Sequence, residues 1–438
     1  MKYLNALGLI ALLVPGTLAA QDVTATHIAI AAEPASIGWA TVEGDTTGGA
    51  AAALDQIHVV TSRAALVAAL GGDNATNAGD DTPAIIFVSG TIDLTEDDAG
   101  NPQGAAAFAE PEYDEAAYIA TYDPEVYGRE AEPEGPLEEA RERSEQAQNA
   151  HTMVRIGSNK TLIGLKDARI INGTLLLKEV ENVIIRNITF EDSWDFFPQW
   201  DATDGSQGNW NAEYDLIGIE QSTHVWIDHC SFSDGARHDD DLPPVFGRVK
   251  QHHDGLVDIK TMANYITLSN NRFFDHDKVH VIGSSDSRTQ NIGHLRVTIT
   301  GNWYDNVRQR TPRVRFGEVH VYGNLFTPRA DGPYSFSYAI GAGKESRTLS
   351  EANLFALPAA IEPGSVFRHY RGEMAQDNGS LVNGKPADLL ALYNAANPDK
   401  PLADSVDWTP PYAYQLPDPA ELAVSVRKTA GAGHLLPH

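Results

Sequence analysis

The sequence predicts an all-β solenoid, a parallel β-helix, and two residue columns carry that prediction. Six segments share one frame: Val183 to Phe190, Val225 to Phe232, Ile266 to Phe273, Val297 to Tyr304, Val319 to Phe326 and, more weakly, Thr348 to Phe355. Each ends on an aromatic, at intervals of 42, 41, 31, 22 and 29 residues. The shortest interval suits one turn of a solenoid, and the longer ones imply loops inserted into a turn. Two positions before the aromatics stand Ile188, Cys230, Asn271, Asn302, Asn324 and Asn353. Four consecutive asparagines in one column are hard to explain in a sandwich. They suit stacked coils, where side-chain amides bond from one turn to the next. Cys230 falls in this column, so it is expected inside the coil as a small apolar residue rather than a nucleophile.

The first 20 residues read as a secretory signal. Lys2 precedes an apolar run from Ala6 to Val14, then Pro15-Gly16 and small residues up to a cleavage point near Ala19 or Ala20. That run is too short to span a bilayer, and no other stretch reaches the ~20 apolar residues a transmembrane helix needs. The mature chain is therefore expected to be secreted and soluble, and to act as a monomer. Cys230 is the sole cysteine, so no intrachain disulfide forms. Residues 21–438 read as a single domain, because internal repetition outweighs the two or three domains that length alone would allow.

The solenoid core is expected from about residue 57 to 414. Residues 93–145 interrupt it with 17 acidic and 3 basic residues. This acidic insertion, about 93–149, reads as a peripheral helical excursion with a solvated face. Pro136 stands at the first turn of its helix, and the chain rejoins the coil at Arg155 to Gly164. After Pro358 the pattern fades into a Pro-rich tail, with Trp408 to Tyr414 expected against the outside of the coil.

With 32 basic and 60 acidic residues the formal net charge is −28, which repels nucleic acid, anionic lipid and acidic polysaccharide alike. Nucleic acid and membranes are thereby excluded as partners. Residues 271–320 are the local exception, with eight basic against five acidic side chains. Arg313 and Arg315, at i and i+2, project from one face of an extended strand, as an anionic ligand would require.

Carboxylates gather nearby. Asp254 and Asp258 at i and i+4 would share a face, roughly 13 Å apart on a straight strand and closer with a bend. Asp215 lies one coil earlier, beside Leu216 and Ile219. Oxygen donors without Cys or a His-x-x-x-His pattern favour calcium over zinc or copper, although acidic residues abound in this chain. Asp228-His229 is expected to be structural, since adjacent strand residues face opposite sides. His252, His253, His276 and His280 read as surface or groove residues. Asp239-Asp240-Asp241, ahead of Pro243-Pro244, reads as a loop rather than a hydrolase carboxylate pair.

Four motifs in order, Val225-Trp226-Ile227-Asp228-His229, Asp254-Gly255-Leu256-Val257-Asp258, His276-Asp277-Lys278 with Ile282-Gly283-Ser284-Ser285-Asp286, and Arg310-Thr311-Pro312-Arg313-Val314-Arg315, resemble those of the pectate lyases of polysaccharide lyase family 1. The resemblance spans about Ile57 to Tyr414. It implies a right-handed, three-sheet parallel β-helix and a calcium-dependent enzyme that cleaves polygalacturonate by β-elimination. By the same resemblance Asp215, Asp254 and Asp258 bind the Ca2+ ion, and Glu213 matches a further calcium-site position in some members. Lys278 and Arg315 then bind substrate carboxylates, and Arg310 is the base. Arginine normally stays protonated, with a pKa above ~12, so clustering with calcium, Lys278 and Arg315 is expected to lower it and to favour alkaline pH. Two alternatives stay open. A pectin lyase acting on methyl-esterified chains needs no calcium, which the intact aspartate set argues against. A non-catalytic polysaccharide-binding β-helix would tolerate loss of Arg310, which is present.

Overall fold

The computed structural model describes residues 23–436; the signal-like residues 1–20 lie outside that range. Three sheets of 11, 10 and 8 strands wrap one coil, and nearly all neighbouring strands pair in parallel. The aromatic column falls in exact register in the 10-stranded sheet, Phe190, Phe232, Phe273, Tyr304, Phe326 and Phe355 facing one another turn by turn. Strand spacing of ~4.8 Å is close to ring-stacking distance. Successive centroids lie 5.2, 5.0, 5.2, 4.9 and 4.4 Å apart, with planes within 15°. Each such pair contributes ~0.5–1.5 kcal/mol beyond burial.

The asparagine column exists because the chain turns a corner there, and backbone groups at a buried corner need partners. Asn271, Asn302, Asn324 and Asn353 each accept from the main-chain N–H one turn earlier, at 2.8–2.9 Å. Their amide groups donate in turn to the carbonyls of Ile227, Leu268, Ile299 and Val321. Cys230 closes the ladder inside the coil, its thiol pushed up to about 12 by burial, which makes it inert.

Valine, isoleucine and leucine at alternate positions, such as Val225 and Ile227 or Ile266 and Leu268, fill the interior. The helix Arg63–Ala69 places Leu66, with Leu70 just beyond it, in this same core, and Leu389–Ala396 adds Leu389, Leu390 and Tyr393. Both helices thereby bury apolar residues against the coil.

The acidic insertion is helical, and Pro136–Thr152 begins with proline as expected. It is not wholly a solvated face. Glu138 is buried, accepting from Tyr118 Oη at 2.7 Å and pairing with Arg141 at 2.8 Å. Tyr118 and Tyr122 pack on Trp200 and Trp210 of an antiparallel hairpin, Gln199–Asp201 with Asn209–Asn211. The insertion therefore buttresses a hairpin beside the coil. Tyr412 docks outside the 11-stranded sheet, its hydroxyl 2.7 Å from Thr298 Oγ1 and 2.9 Å from His320 Nδ1. The segment before residue 57 straps the same surface, Trp39 and Ala40 donating main-chain N–H groups to Thr298 and Thr267. No helix among the described residues is long and apolar enough to cross a membrane.

Replacing Asn324 by Ala orphans the main-chain N–H of Asn302 and the carbonyl of Ile299. Each unsatisfied buried group costs ~1–3 kcal/mol. Urea unfolding should show that loss with an unchanged m-value; a stability equal to wild type would contradict the ladder's role.

Candidate active site

In-register stacking brings distant residues to one corner of the coil. Leu216 N–H donates to the Gly255 carbonyl, Gly255 bridges Lys278, and Lys278 pairs with Gln309. Asp215, Asp254, Lys278 and Arg310 thus come from four successive turns. The strands Ile217–Glu220 and Val257–Lys260 begin only after Asp215 and Asp254, so the chain bends between Asp254 and Asp258. Carboxylate oxygens of Asp215, Asp254 and Asp258 lie within 4.8 Å of one another, far closer than a straight strand allows. Gly255 makes this possible. A Cβ there would stand 2.6 Å from an oxygen of Asp215 and of Asp258, while its N–H donates to Asp215 Oδ1 at 2.9 Å.

Two ammonium groups face the three carboxylates. Lys260 Nζ lies 2.8 Å from Asp215 and 3.1 Å from Asp258, and Lys278 Nζ lies 2.7 Å from Asp254 and 2.9 Å from Gln251 Oε1. Lys260 had not been singled out from the sequence, although its place two residues after Asp258 puts it on the same strand face. Burial, followed by the charge of Asp258, pushes the Asp215 carboxyl up to about 8. Asp254 is half-buried at the cleft, and although desolvation raises its pKa, Lys278, Lys260 and Arg310 pull it well below the usual carboxylate range. Lys260 is held well above its ordinary value, Asp215 and Asp258 outweighing burial. Asp215 is the carboxylate of the three that burial and its neighbour Asp258 most disfavour in charged form. Oxygen donors of this kind, short of positive charge, fit a hard divalent cation. Glu213 is exposed and stands outside the three-residue group.

Arg310 follows the strand Trp303–Gln309 and turns the chain with φ 63°. It shares with Asp254, Lys278, Arg248, Arg308 and Tyr334 a cleft of about 530 Å³. Among the described residues its buried Nε has no hydrogen-bond partner. Burial pushes the guanidinium's pKa down, but Asp254, Tyr338, Asp258 and Asp277 outweigh it and the net shift is upward. The expected lowering is therefore absent among the protein's own groups, because carboxylates crowd Arg310 more closely than cations do. Arg313 and Arg315 flank the fully buried Val314. Arg313 stacks 3.9 Å above the Tyr370 ring, and Arg315 Nε donates to Asp286 at 2.7 Å.

The family model for pectate lyase matches residues 134–435. A pectate lyase from Bacillus subtilis is 43% identical over 91% of this chain and 92% of its own length. The chain belongs to the pectate lyase family. Pectate lyase E from Dickeya dadantii is 34% identical over 92% of this chain and 88% of its own. The solved thermostable pectate lyase PL 47 superposes with a TM-score of 0.90 at 45% identity, covering 93% of this chain and 99% of that one. A pectate lyase solved bound to a hexasaccharide gives 0.87 at 41% identity, covering 93% and 99%. The protein is accordingly a lyase built on a parallel β-helix.

Around this pectate lyase site His253 and His276 line the cleft as groove residues, largely covered by neighbouring carboxylates, whereas His252 and His280 are buried away from it. His253 bridges Asp239 at 2.9 Å and Asp192 at 3.0 Å, and His276 Nδ1 bonds Asp234 at 2.5 Å. His280 lies inside the coil against the Val257 carbonyl and Tyr304. Asp228 and His229 do share a bond, 2.7 Å long, since the strand ends at Asp228 and His229 turns back with φ 52°. Arg186, Ser269 and Asn270 also hold Asp228, so the pair is structural as expected. Asp239-Asp240-Asp241 forms a short turn whose Asp240 pairs with Arg308.

Asp234 anchors this loop. It accepts from Tyr334 as well as His276, and despite burial the charges of His253 and His276 pull it down to about 2. Its folded value lies below an unfolded ~3.9, so its contribution is present above pH ~4 and is lost as pH falls towards ~2. Asp234→Asn should cost ~3–5 kcal/mol at neutral pH by urea unfolding. That gap should close on acidification; a gap that widened would contradict the assignment.

Proposed function

We propose that this protein is a secreted, calcium-dependent pectate lyase that cleaves α-1,4-linked polygalacturonate by β-elimination, releasing 4,5-unsaturated oligogalacturonides. The observation that carries this reading is the buried Nε of Arg310, without a hydrogen-bond partner among the described residues, set in one cleft with Asp254 and Lys278. Export rests on the signal-like sequence of residues 1–20.

Asp215, Asp254 and Asp258 would hold calcium, whose positive charge would neutralise a uronate carboxylate and acidify the adjacent C5 proton. Lys278 and Arg315 bind uronate carboxylates through charge-assisted hydrogen bonds and stabilise the negative charge that develops as the proton leaves. Arg310 accepts the C5 proton, the C4–O4 bond breaks, a C4–C5 double bond forms, and the departing oxygen takes a proton from water. Only the neutral fraction of Arg310 can act in this way. Asp254 keeps that fraction small, so any charge that neutralises Asp254 enlarges it, and turnover rises with pH across the alkaline range.

Ultraviolet absorbance of the unsaturated product tests the reading. Polygalacturonate should be cleaved with calcium, not with excess chelator, and calcium should restore activity; full turnover in chelator would contradict the metal's role. Lys278→Ala and Arg315→Ala should raise KM and slow turnover without unfolding the chain, whereas unchanged kinetics in both would place the groove elsewhere. Arg310→Lys keeps the charge but not the shape, so turnover should fall by at least ~100-fold while substrate binding changes little. Near-normal turnover would make Arg310 an electrostatic accessory.

A further inference from the structure

Arg315 carries five N–H donors in a rigid fork, and the protein commits two edges of it. Nε donates to Asp286 Oδ1 at 2.7 Å, and Nη1 donates to the Gly283 carbonyl at 2.8 Å. Among the described residues Nη2 donates to no protein atom, which leaves that edge for a ligand. The stem is fixed as well. Strand register sets Gly283 and Gly343 beside Arg315 on the turns before and after, next to the pairs Ile282 with Val314 and Val314 with Ala342. A Cβ on Gly343 would come within 2.9 Å of Arg315 Cγ, and one on Gly283 within 3.1 Å of Arg315 Cβ. Two glycines thus clear the path of the side chain and one carboxylate fixes its end.

We propose that Asp286 is a positioning residue that aims Arg315 at a substrate carboxylate. Asp286 is the side chain that bonds Arg315; its second oxygen accepts from Arg371 Nη1 at 3.0 Å, and its main-chain oxygen accepts from Lys344. The Arg315 side chain is 11% exposed and that of Arg371 is 79% exposed, so the ordered, inner partner is Arg315. The proposal rests on reading Arg315 as a carboxylate clamp and adds the group that orients it.

A simpler role for Asp286 predicts the opposite sign. If it only cancelled positive charge, Asp286→Asn would strengthen attraction for polygalacturonate and lower KM. If it positions Arg315, the same change leaves one neutral acceptor shared between Arg315 and Arg371, weakens the charge-assisted bond that fixes the guanidinium, and KM rises.

The test is steady-state kinetics on polygalacturonate at fixed calcium, with thermal melts as a folding control. Asp286→Asn should raise KM by at least about 10-fold, on the scale of a misplaced binding group. Its effect should vanish in the Arg315→Ala background, because it passes through Arg315. Arg371→Ala should stay near wild type. Asp286→Ser serves as a second variant should the asparagine form fold poorly. An unchanged or lowered KM, a penalty undiminished without Arg315, or the same defect in Arg371→Ala would each overturn the proposal. A normal Arg315→Ala enzyme would sink the clamp reading itself, whereas an impaired Arg315→Ala enzyme beside a normal Asp286→Asn enzyme would sink only this inference.

Discussion

In-register stacking of the coils is the constraint from which the rest of the molecule follows. A parallel ladder lets each turn repeat the last at ~4.8 Å, provided the buried corners find partners for their backbone groups. The asparagine ladder provides them, and the aromatic column holds the same register on the adjoining sheet. Once register is fixed, residues about 30 to 40 apart in sequence become neighbours. Lys278 meets Gln309 and Gly218 meets Asp258, and the site is a column read across turns.

Electrostatics inside that column is a balance of near-equal terms. Three carboxylates within 4.8 Å face two ammonium groups, and burial followed by the charge of Asp258 raises the Asp215 pKa. Two of them, Asp254 and Asp258, also push the Arg310 guanidinium's pKa upward against burial. Positive charge added at the aspartates would therefore act twice, relieving their mutual repulsion and loosening their hold on Arg310. A chain of net charge −28 needs such a local arrangement to hold a polyanion at all.

Much of this was legible in the sequence, and the reasons for the rest are specific. The repeated frame and its two columns reveal the solenoid because each turn obeys the same packing rule. The order of the motifs brings Asp215, Asp254, Asp258, Lys278 and Arg310 together because register converts that order into proximity, whereas Arg315 does not line their cleft. Spacing alone left open whether Asp254 and Asp258 lie on a straight strand or close together across a bend, since the bend depends on Gly255 having no side chain to strike Asp215. Lys260 was hidden by the same bend, which turns an ordinary strand lysine into a partner of two carboxylates. His252 and His280 misled because burial against a neighbouring turn is a tertiary event that local composition does not record. His229 misled because a left-handed residue at a strand end breaks the alternation of faces.

A crystal structure with calcium and an oligogalacturonate tests the central claim most directly. The account predicts one calcium ion in contact with Asp215, Asp254 and Asp258, Lys260 displaced from at least one of its carboxylates, and uronate carboxylates on Lys278 and Arg315. Calcium bound elsewhere, with Lys260 still bridging Asp215 and Asp258, would contradict it.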